Sequence, residues 1–221
     1  MSVVNSGRLS LSNPLVPVVL LAALVAGFLI AQRDEKSMAQ PQILGLLWPN
    51  PKPLTQFELN STSAHPFTLE TLKDRWTLLF FGYTSCPDVC PTTLATLSGV
   101  MQRLRAEGKA DRLQVVFVSV DPHRDTLDQI ARYIGYFDSS FIGATASPER
   151  LQRLTIQLGV LHERHTPDET GGYLVDHTAS VLLVDPSGHL VGIFSAPLQA
   201  EDIAQRLQAM RRFLEEQSGR S

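Results

Sequence analysis

Residues 76–91, WTLLFFGYTSCPDVCP, join an apolar run to the two cysteines of the chain. The first half, WTLLFFGY, is the kind of continuous apolar run found in a central β-strand that is covered on both faces. Residues 91–107 then place apolar side chains at helical spacing, and the proline at position 91 suits the first turn of a helix. This stretch therefore predicts a buried strand, a loop that carries Cys86 and Cys90, and a helix.

Strands and helices alternate over the rest of the chain. The pattern predicts a second buried strand at residues 113–120 and a second helix at 126–136, with Asp125 as its N-cap. A short strand and a third helix follow, and the turn signal DPSG then separates the two strands of a hairpin. These later elements are predicted at residues 141–144, 148–158, 179–185 and 189–194, with a C-terminal amphipathic helix at 201–216. This order indicates an α/β fold, and a thioredoxin-like fold with its first two strands parallel is the simplest match.

Length and composition limit the functional classes. A chain of 221 residues can form one well-cored domain and an appendage, but is short for two domains. The net charge is -3 and aromatic residues make up 7% of the chain. The sequence therefore lacks the basic patch and the stacking surface that nucleic acid requires, and we expect no nucleic-acid partner.

The N-terminal region has the features of a membrane anchor. Residues 15–31 contain no charged side chain and are near the lower limit of length for a spanning helix. Arg8 precedes this run and the RDEK sequence after it is neutral overall, which favours a cytoplasmic N-terminus. A cleaved signal peptide is the alternative, although no clean Ala-x-Ala site follows. We expect a cytoplasmic segment at 1–14, a single inner-membrane helix at 15–31, a linker at 32–55 and a periplasmic domain at 56–217.

The two cysteines are separated by three residues, and this spacing permits two kinds of chemistry. Residues four apart on a helical turn share one face, so their sulfurs can bind one metal ion. The same spacing is compatible with a disulfide, and the periplasm is an oxidising compartment. The N-terminus of the following helix is expected to lower the thiol pKa values. The motif allows a metal chelate, a redox couple, or both in alternation, with two incidental cysteines as the remaining alternative.

A third ligand must come from elsewhere in the chain, which contains six histidines: His65, His123, His162, His165, His177 and His189. His177 is the strongest candidate, because it precedes a hairpin strand that starts opposite the cysteine loop in a thioredoxin-like sheet. His123 follows the second strand and is a weaker candidate, whereas His162 and His165 are expected in a solvated loop. Two sulfurs and one imidazole suit copper better than zinc, whose structural sites use four protein ligands.

Three motifs together resemble the Sco/SenC family: CPDVCP at residues 86–91, VSVDPHRDT at 118–126 and YLVDHTASVLLVDPSG at 173–188. The resemblance covers about residues 42–215. It implies a membrane-anchored, thioredoxin-like copper protein that assists cytochrome c oxidase assembly. It further implies that Cys86, Cys90 and His177 bind copper received from an upstream donor and passed to the binuclear copper centre of oxidase subunit II. Asp121 and Asp125 belong to the second motif, and we expect mainly structural roles for them.

The principal hypothesis is therefore a metallochaperone without enzymatic activity, and an enzyme is the alternative. A membrane-tethered thiol–disulfide oxidoreductase would use Cys86 to attack a disulfide of the oxidase subunit and Cys90 to resolve the mixed disulfide. Thioredoxin-like reductases usually carry a proline before the strand opposite the cysteines, whereas this chain has His177 and no proline there. A thiol peroxidase that uses Cys86 is a third, weaker hypothesis.

Overall fold

The computed structural model of the protein describes residues 21–24, 27, 47–167 and 172–218. The chain divides into two units, residues 1–40 and 41–221. In the first unit the described residues are helical. No helix within the described part of the chain is long and apolar enough to cross a membrane. The predicted cytoplasmic segment, most of the predicted anchor and residues 32–46 of the predicted linker lie outside the described residues.

Strands and helices fill the second unit. The strands are β1 (Leu47–Pro53), β2 (Glu58–Ser61), β3 (Phe67–Thr68), β4 (Trp76–Gly82), β5 (Leu113–Ser119), β6 (Ile142–Thr145), β7 (His162–Arg164), β8 (Val175–His177), β9 (Val181–Val184) and β10 (His189–Phe194). The helices are α1 (Leu69–Leu72), α2 (Val89–Ala106), α3 (Leu127–Gly135), α4 (Pro148–Leu158) and α5 (Ala200–Ser218). Every element predicted from residue 76 onward is present, with its ends within two residues of the predicted ones.

An eight-stranded mixed sheet forms the centre of this unit, in the order β1-β10-β9-β4-β5-β6-β2-β3. β4, β5 and β6 run parallel to one another, with α2 and α3 as the helical crossovers that parallel neighbours need. β4 and β5 are buried at every position, which explains why their sequences are continuously apolar. β9 pairs antiparallel with β4, with Val181 opposite Phe80. The predicted α/β fold is confirmed, and the start of β9 lies beside the carboxyl end of β4.

The edge of the sheet begins earlier in the chain than the sequence predicted. Residues 47–53, assigned above to the linker, form β1 and pair antiparallel with β10. This segment contains three prolines. Because proline has no backbone N–H, these positions cannot donate the hydrogen bonds that a central strand would need. An edge strand tolerates proline, and the pairing shifts in register between Leu47 and Lys52. The linker prediction is therefore corrected for these residues.

Side chains on both faces of the sheet are buried. On one face, Leu79 and Phe81 of β4 share a hydrophobic cluster with Leu151 and Leu154 of α4. The alternate residue Phe80 of β4 has its ring 6.1 Å from that of its β5 neighbour, and α2 contacts α5. Both faces of β4 are therefore buried along the strand that leads into the cysteine loop and α2.

A second, two-stranded sheet stands apart from the central one. β7 and β8 pair antiparallel, with His162 opposite His177 and Arg164 opposite Val175. A solvated loop was predicted for His162 and His165, and this is corrected for His162, which is the first residue of β7. Each strand has only three residues, which is too short to produce a periodic sequence signal.

Candidate metal centre

The two cysteines lie where β4 gives way to α2. Cys86 is half-buried in the connecting loop, and its N–H donates to the carbonyl of Tyr83 at 3.2 Å. Cys90 lies in the first turn of α2 and is fully buried. Gly82 makes this burial feasible, because a Cβ at that position would lie only 2.7 Å from the sulfur of Cys90. Both cysteines are free thiols in this structure.

His177 reaches the cysteines from the end of β8. Its Nε2 lies 3.3 Å from Cys90 Sγ. Its Nδ1 lies 3.2 Å from the carbonyl oxygen of Thr178, which can only accept a hydrogen bond. Nδ1 therefore carries the proton, and the lone pair of Nε2 faces the sulfur. This is the tautomer in which an imidazole binds a metal while a backbone carbonyl holds its other nitrogen.

The aromatic rings of Phe80 and Tyr83 hold the imidazole of His177 in place. Their ring centroids lie 6.0 and 5.9 Å from that of His177, and both contacts are edge-to-face. Such pairs restrict ring rotation as well as excluding water. The orientation of His177 is therefore determined by the end of β4 as well as by its own strand.

The ligand atoms of Cys86, Cys90 and His177 all lie within 4.8 Å of one another. Bonds of about 2.3 Å to sulfur and 2.0 Å to nitrogen separate two ligands of one ion by up to about 4.6 Å. The three side chains can therefore converge on a single ion with small adjustments. The described residues contain no other group of three or more histidine, cysteine or carboxylate side chains this close together.

Burial determines the charge of the metal-free site. It raises the pKa of the Cys90 thiol well above its ordinary value, and it lowers the pKa of His177. The sequence predicted that the helix N-terminus would lower the thiol pKa values. For Cys90 this is wrong, because desolvation of a thiolate inside the core outweighs the helix dipole. A bound ion would thus displace a proton from Cys90 but not from Nε2 of His177.

A buried carboxylate supports the cysteine loop. Asp125 accepts hydrogen bonds from the backbone N–H of Thr84 at 2.8 Å, from its hydroxyl at 2.6 Å and from the hydroxyl of Ser119 at 2.5 Å. Asp125 was predicted to cap α3. The structure corrects this, since the N-cap is Thr126, whose hydroxyl accepts from the N–H of Gln129. Asp125 therefore ties the cysteine loop to the end of β5.

The other histidines lie outside the group of ligand atoms. His65 and His123 are exposed, so the weaker candidacy of His123 finds no support in the geometry. His165 is exposed and lies 2.7 Å from a carboxylate oxygen of Asp176. His162 is half-buried opposite His177, a position that only the short β7–β8 pairing reveals.

The family model described as SCO1/SenC matches residues 49–212 of the chain. The chain belongs to the SCO1/SenC family. The three motifs that carried the resemblance all lie within the matched residues. They supply the cysteine loop, the end of β5 with Asp125, and the segment that delivers His177. The part of the chain that the family model matches is thus the part that builds the candidate metal centre.

Relatives of this Sco protein include both bacterial and mitochondrial members. A "Putative copper-binding protein" of Stutzerimonas stutzeri is 42% identical over 162 residues, which are 73% of this chain and 78% of that protein. The mitochondrial SCO2 homolog of Bos taurus is 36% identical over 131 residues, which are 59% of this chain and 49% of that protein. The alignment with the mitochondrial relative thus spans about half of that protein's length.

Solved Sco structures share the fold. The apo Sco1 protein of Thermus thermophilus is 38% identical, with a TM-score of 0.68 over 79% of this chain and 99% of that one. Bradyrhizobium japonicum ScoI with copper bound is 36% identical, with a TM-score of 0.63 over 71% of this chain and 98% of that one. The thioredoxin-like architecture of the Sco family is therefore the architecture of the described residues 47–167 and 172–218.

Proposed function

We propose that this Sco protein is a copper metallochaperone, not an enzyme, and that it carries a copper ion on Cys86, Cys90 and His177 as cargo. The observation that carries the proposal is the convergence of two sulfurs and one imidazole nitrogen within 4.8 Å. Soft sulfur ligands suit Cu(I), and imidazole suits Cu(II) as well. The choice of copper is supported by the copper-bound ScoI structure, which shares more than a third of its aligned residues with this chain.

Unequal access to the three ligands suits a carrier that must release its ion. Cys90 is buried, whereas Cys86 is half-buried at the surface. A three-ligand site leaves a coordination position for an incoming group. A ligand from an acceptor protein therefore approaches on the Cys86 side and replaces the protein's own ligands in turn. Cys90 and His177, which lie 3.3 Å apart, would hold the ion until the transfer is complete.

The proposed acceptor is the binuclear copper centre of cytochrome c oxidase subunit II, and an upstream donor protein supplies the ion. Membership in the Sco family supports oxidase assembly as the setting. We further propose that residues 15–31 hold the protein in the inner membrane, with the folded domain in the periplasm. The support for this is the uncharged run in the sequence, which has the length of a short spanning helix.

The ligand set is tested by metal analysis and X-ray absorption of the purified full chain. One copper per chain is expected, with two sulfur ligands and one nitrogen ligand. His177→Ala should lose most of the affinity for copper. His165→Ala is the matched control, because His165 is exposed and bonds Asp176 instead of the cysteines. Tight copper binding by His177→Ala would refute the ligand assignment.

The acceptor is tested separately by mixing the copper-loaded protein with the copper-free soluble domain of oxidase subunit II. Transfer is expected to produce the visible absorption of a binuclear copper centre in the acceptor and to leave the donor metal-free. Retention of all copper on the donor, under conditions where a small chelator removes it, would refute subunit II as the acceptor.

A thiol–disulfide oxidoreductase is the second candidate, and the unequal exposure of the two thiols favours it. Cys86 would attack a substrate disulfide, and Cys90 would then displace the substrate thiol. The products would be a Cys86–Cys90 disulfide and a reduced dithiol on the substrate, so two electrons pass to the substrate. His177→Ala separates the two functions, since a reductase keeps its thiol-exchange rate without the imidazole and a copper carrier loses its metal.

A further inference from the structure

The strand that ends in His177 belongs to the small sheet and not to the central one. This strand, β8, pairs with β7 to form a hairpin. The N–H of Thr178 donates to the carbonyl of Leu161 at 3.0 Å, and this bond lies within the same hairpin. These bonds stabilise the hairpin but do not fix its position on the domain. The position of His177 therefore depends on contacts that join the hairpin to the central sheet.

Tyr173, four residues before His177, makes such a contact. Its hydroxyl donates to Oδ1 of Asp121 at 2.8 Å, and its carbonyl accepts from Nη1 of Arg124 at 3.0 Å. Arg124 also donates from Nε to Oδ2 of Asp121 at 2.5 Å. The three residues form a closed triangle, called here the Tyr173 clamp. It holds the hairpin against the loop between β5 and α3.

The clamp is packed as well as hydrogen-bonded. The guanidinium carbon of Arg124 lies 3.6 Å from the centroid of the Tyr173 ring, which is stacking distance. Asp121 is buried, with 2% of its surface exposed. A buried carboxylate without a cationic partner is strongly disfavoured, so the ion pair with Arg124 is sensitive to the loss of either member. The clamp is therefore a rigid attachment.

A second line of contacts joins the clamp to the imidazole itself. The guanidinium of Arg124 lies 5.5 Å from the centroid of the Tyr83 ring. That ring meets the imidazole of His177 edge-to-face, with centroids 5.9 Å apart. Arg124 therefore lies between the residue that anchors the hairpin and the ring against which His177 packs.

The planar shape of the guanidinium is what allows this double contact. Nη2 of Arg124 is buried and has no hydrogen-bond partner among the described residues. A cation between aromatic rings is stabilised by their faces instead of by further acceptors. A lysine ammonium cannot stack in this way or donate from two fixed directions. The planar guanidinium of Arg124 thus packs between the rings of Tyr83 and Tyr173.

We infer that Asp121, Arg124 and Tyr173 are positioning residues that hold His177 against Cys90 and so determine how firmly the copper cargo is retained. None of these three residues supplies one of the converging ligand atoms. They act on His177 through the hairpin and through Tyr83. This inference rests on the proposed function for its consequence. Its geometric content, the position of His177, can be measured without any metal.

The test is a double-mutant cycle on the full chain with Tyr173→Phe and His177→Ala. Loss of one hydroxyl that bonds a buried carboxylate should weaken copper affinity by about three- to tenfold. In the His177→Ala background, Tyr173→Phe should have no further effect, because the clamp acts only through that histidine. Tyr136→Phe is the matched control, since Tyr136 is 87% exposed, and it should leave affinity unchanged.

Two further measurements make the outcome decisive. Tyr173→Phe and Arg124→Lys should alter the Cu(II) electron paramagnetic resonance spectrum, and they should shift the imidazole resonances of His177 in the metal-free protein. Unchanged resonances and affinity in both variants would overturn the inference. An equal loss of affinity in the presence and absence of His177 would also overturn it, since that indicates general destabilisation. If the wild type binds no copper, the proposed function fails, whereas the metal-free resonances still test the clamp.

Discussion

His177 Nε2 lies 3.3 Å from Cys90 Sγ, although 87 positions separate the two residues in the sequence. The contact joins the small β7–β8 sheet to the first turn of α2. Because Nδ1 of His177 is turned toward the carbonyl of Thr178, Nε2 has no other orientation available without breaking that bond. The metal centre is therefore assembled by the tertiary fold, and metal binding should stabilise the fold in return.

Gly82 provides the space in which this contact forms. In Gly82→Ala, the added methyl would lie 2.7 Å from Cys90 Sγ and 2.9 Å from a ring carbon of Phe117. Overpacking of this kind destabilises a core by about 1–3 kcal/mol. Because the sulfur must move, copper affinity should fall by about tenfold or more. Urea unfolding and a copper competition assay measure the two effects.

The matched control for that substitution is Gly135→Ala. Gly135 ends α3, is exposed and has no atom within 4 Å of an added Cβ, so stability and copper affinity should stay close to wild type or rise slightly. If Gly82→Ala behaved like Gly135→Ala in both assays, the close packing of Cys90 against β4 would be refuted.

The sequence predicted the candidate metal centre better than it predicted the surroundings. The spacing of Cys86 and Cys90 indicates that they can share one site. His177 could be chosen because the predicted strand order places it opposite their loop. The pKa of Cys90 could not be predicted, because a helix N-terminus is visible in a sequence and the depth of burial is not. The role of Asp125 was missed for a related reason. An aspartate before a helix resembles a cap, and its bonds to Thr84 span 41 positions.

Asp125 should contribute more to the free energy of unfolding than an aspartate that only precedes a helix, because it accepts hydrogen bonds from Thr84 and Ser119. Asp125→Ala removes the acceptor of three hydrogen bonds. The buried Ser119 hydroxyl then has no group to donate to, although it still accepts from the N–H of Asp121, and the loss should cost about 2–4 kcal/mol. Asp125→Asn should cost less, because its carbonyl oxygen can still accept and the hydroxyl of Thr84 can turn to accept from its amide. Asp128→Ala is the control, since Asp128 is exposed in the first turn of α3, and should change stability by about 1 kcal/mol or less.

Thermal or urea unfolding of the metal-free, reduced protein measures these differences. The order expected is Asp125→Ala least stable, then Asp125→Asn, then Asp128→Ala near wild type. An Asp125→Ala protein as stable as Asp128→Ala would mean that the cysteine loop does not depend on this carboxylate.

The two thiols should react at different rates in the reduced, metal-free protein. Cys86 is half-buried, whereas Cys90 is fully buried and burial raises its pKa. A cysteine is alkylated only when its sulfur is a thiolate and the reagent can reach it. Iodoacetamide at pH 8 should therefore modify Cys86 first and leave Cys90 unmodified until the protein is denatured. Both cysteines lie on one tryptic peptide, residues 76–103, so fragmentation of that peptide by tandem mass spectrometry identifies the modified residue. Faster modification of Cys90 would contradict both the burial and the assignment of Cys86 as the accessible ligand.

Copper retention should weaken as the pH falls. Since burial raises the pKa of Cys90, its thiol keeps its proton across the neutral range, and copper must displace that proton to bind. Each unit of decrease in pH between about 8 and 6 should therefore lower the affinity at least about tenfold. His177 adds less proton competition than a solvent-exposed imidazole would, because burial lowers its pKa. Competition with a chelator of known pH dependence measures the slope, and an affinity that does not change with pH would show that Cys90 is not a thiolate ligand.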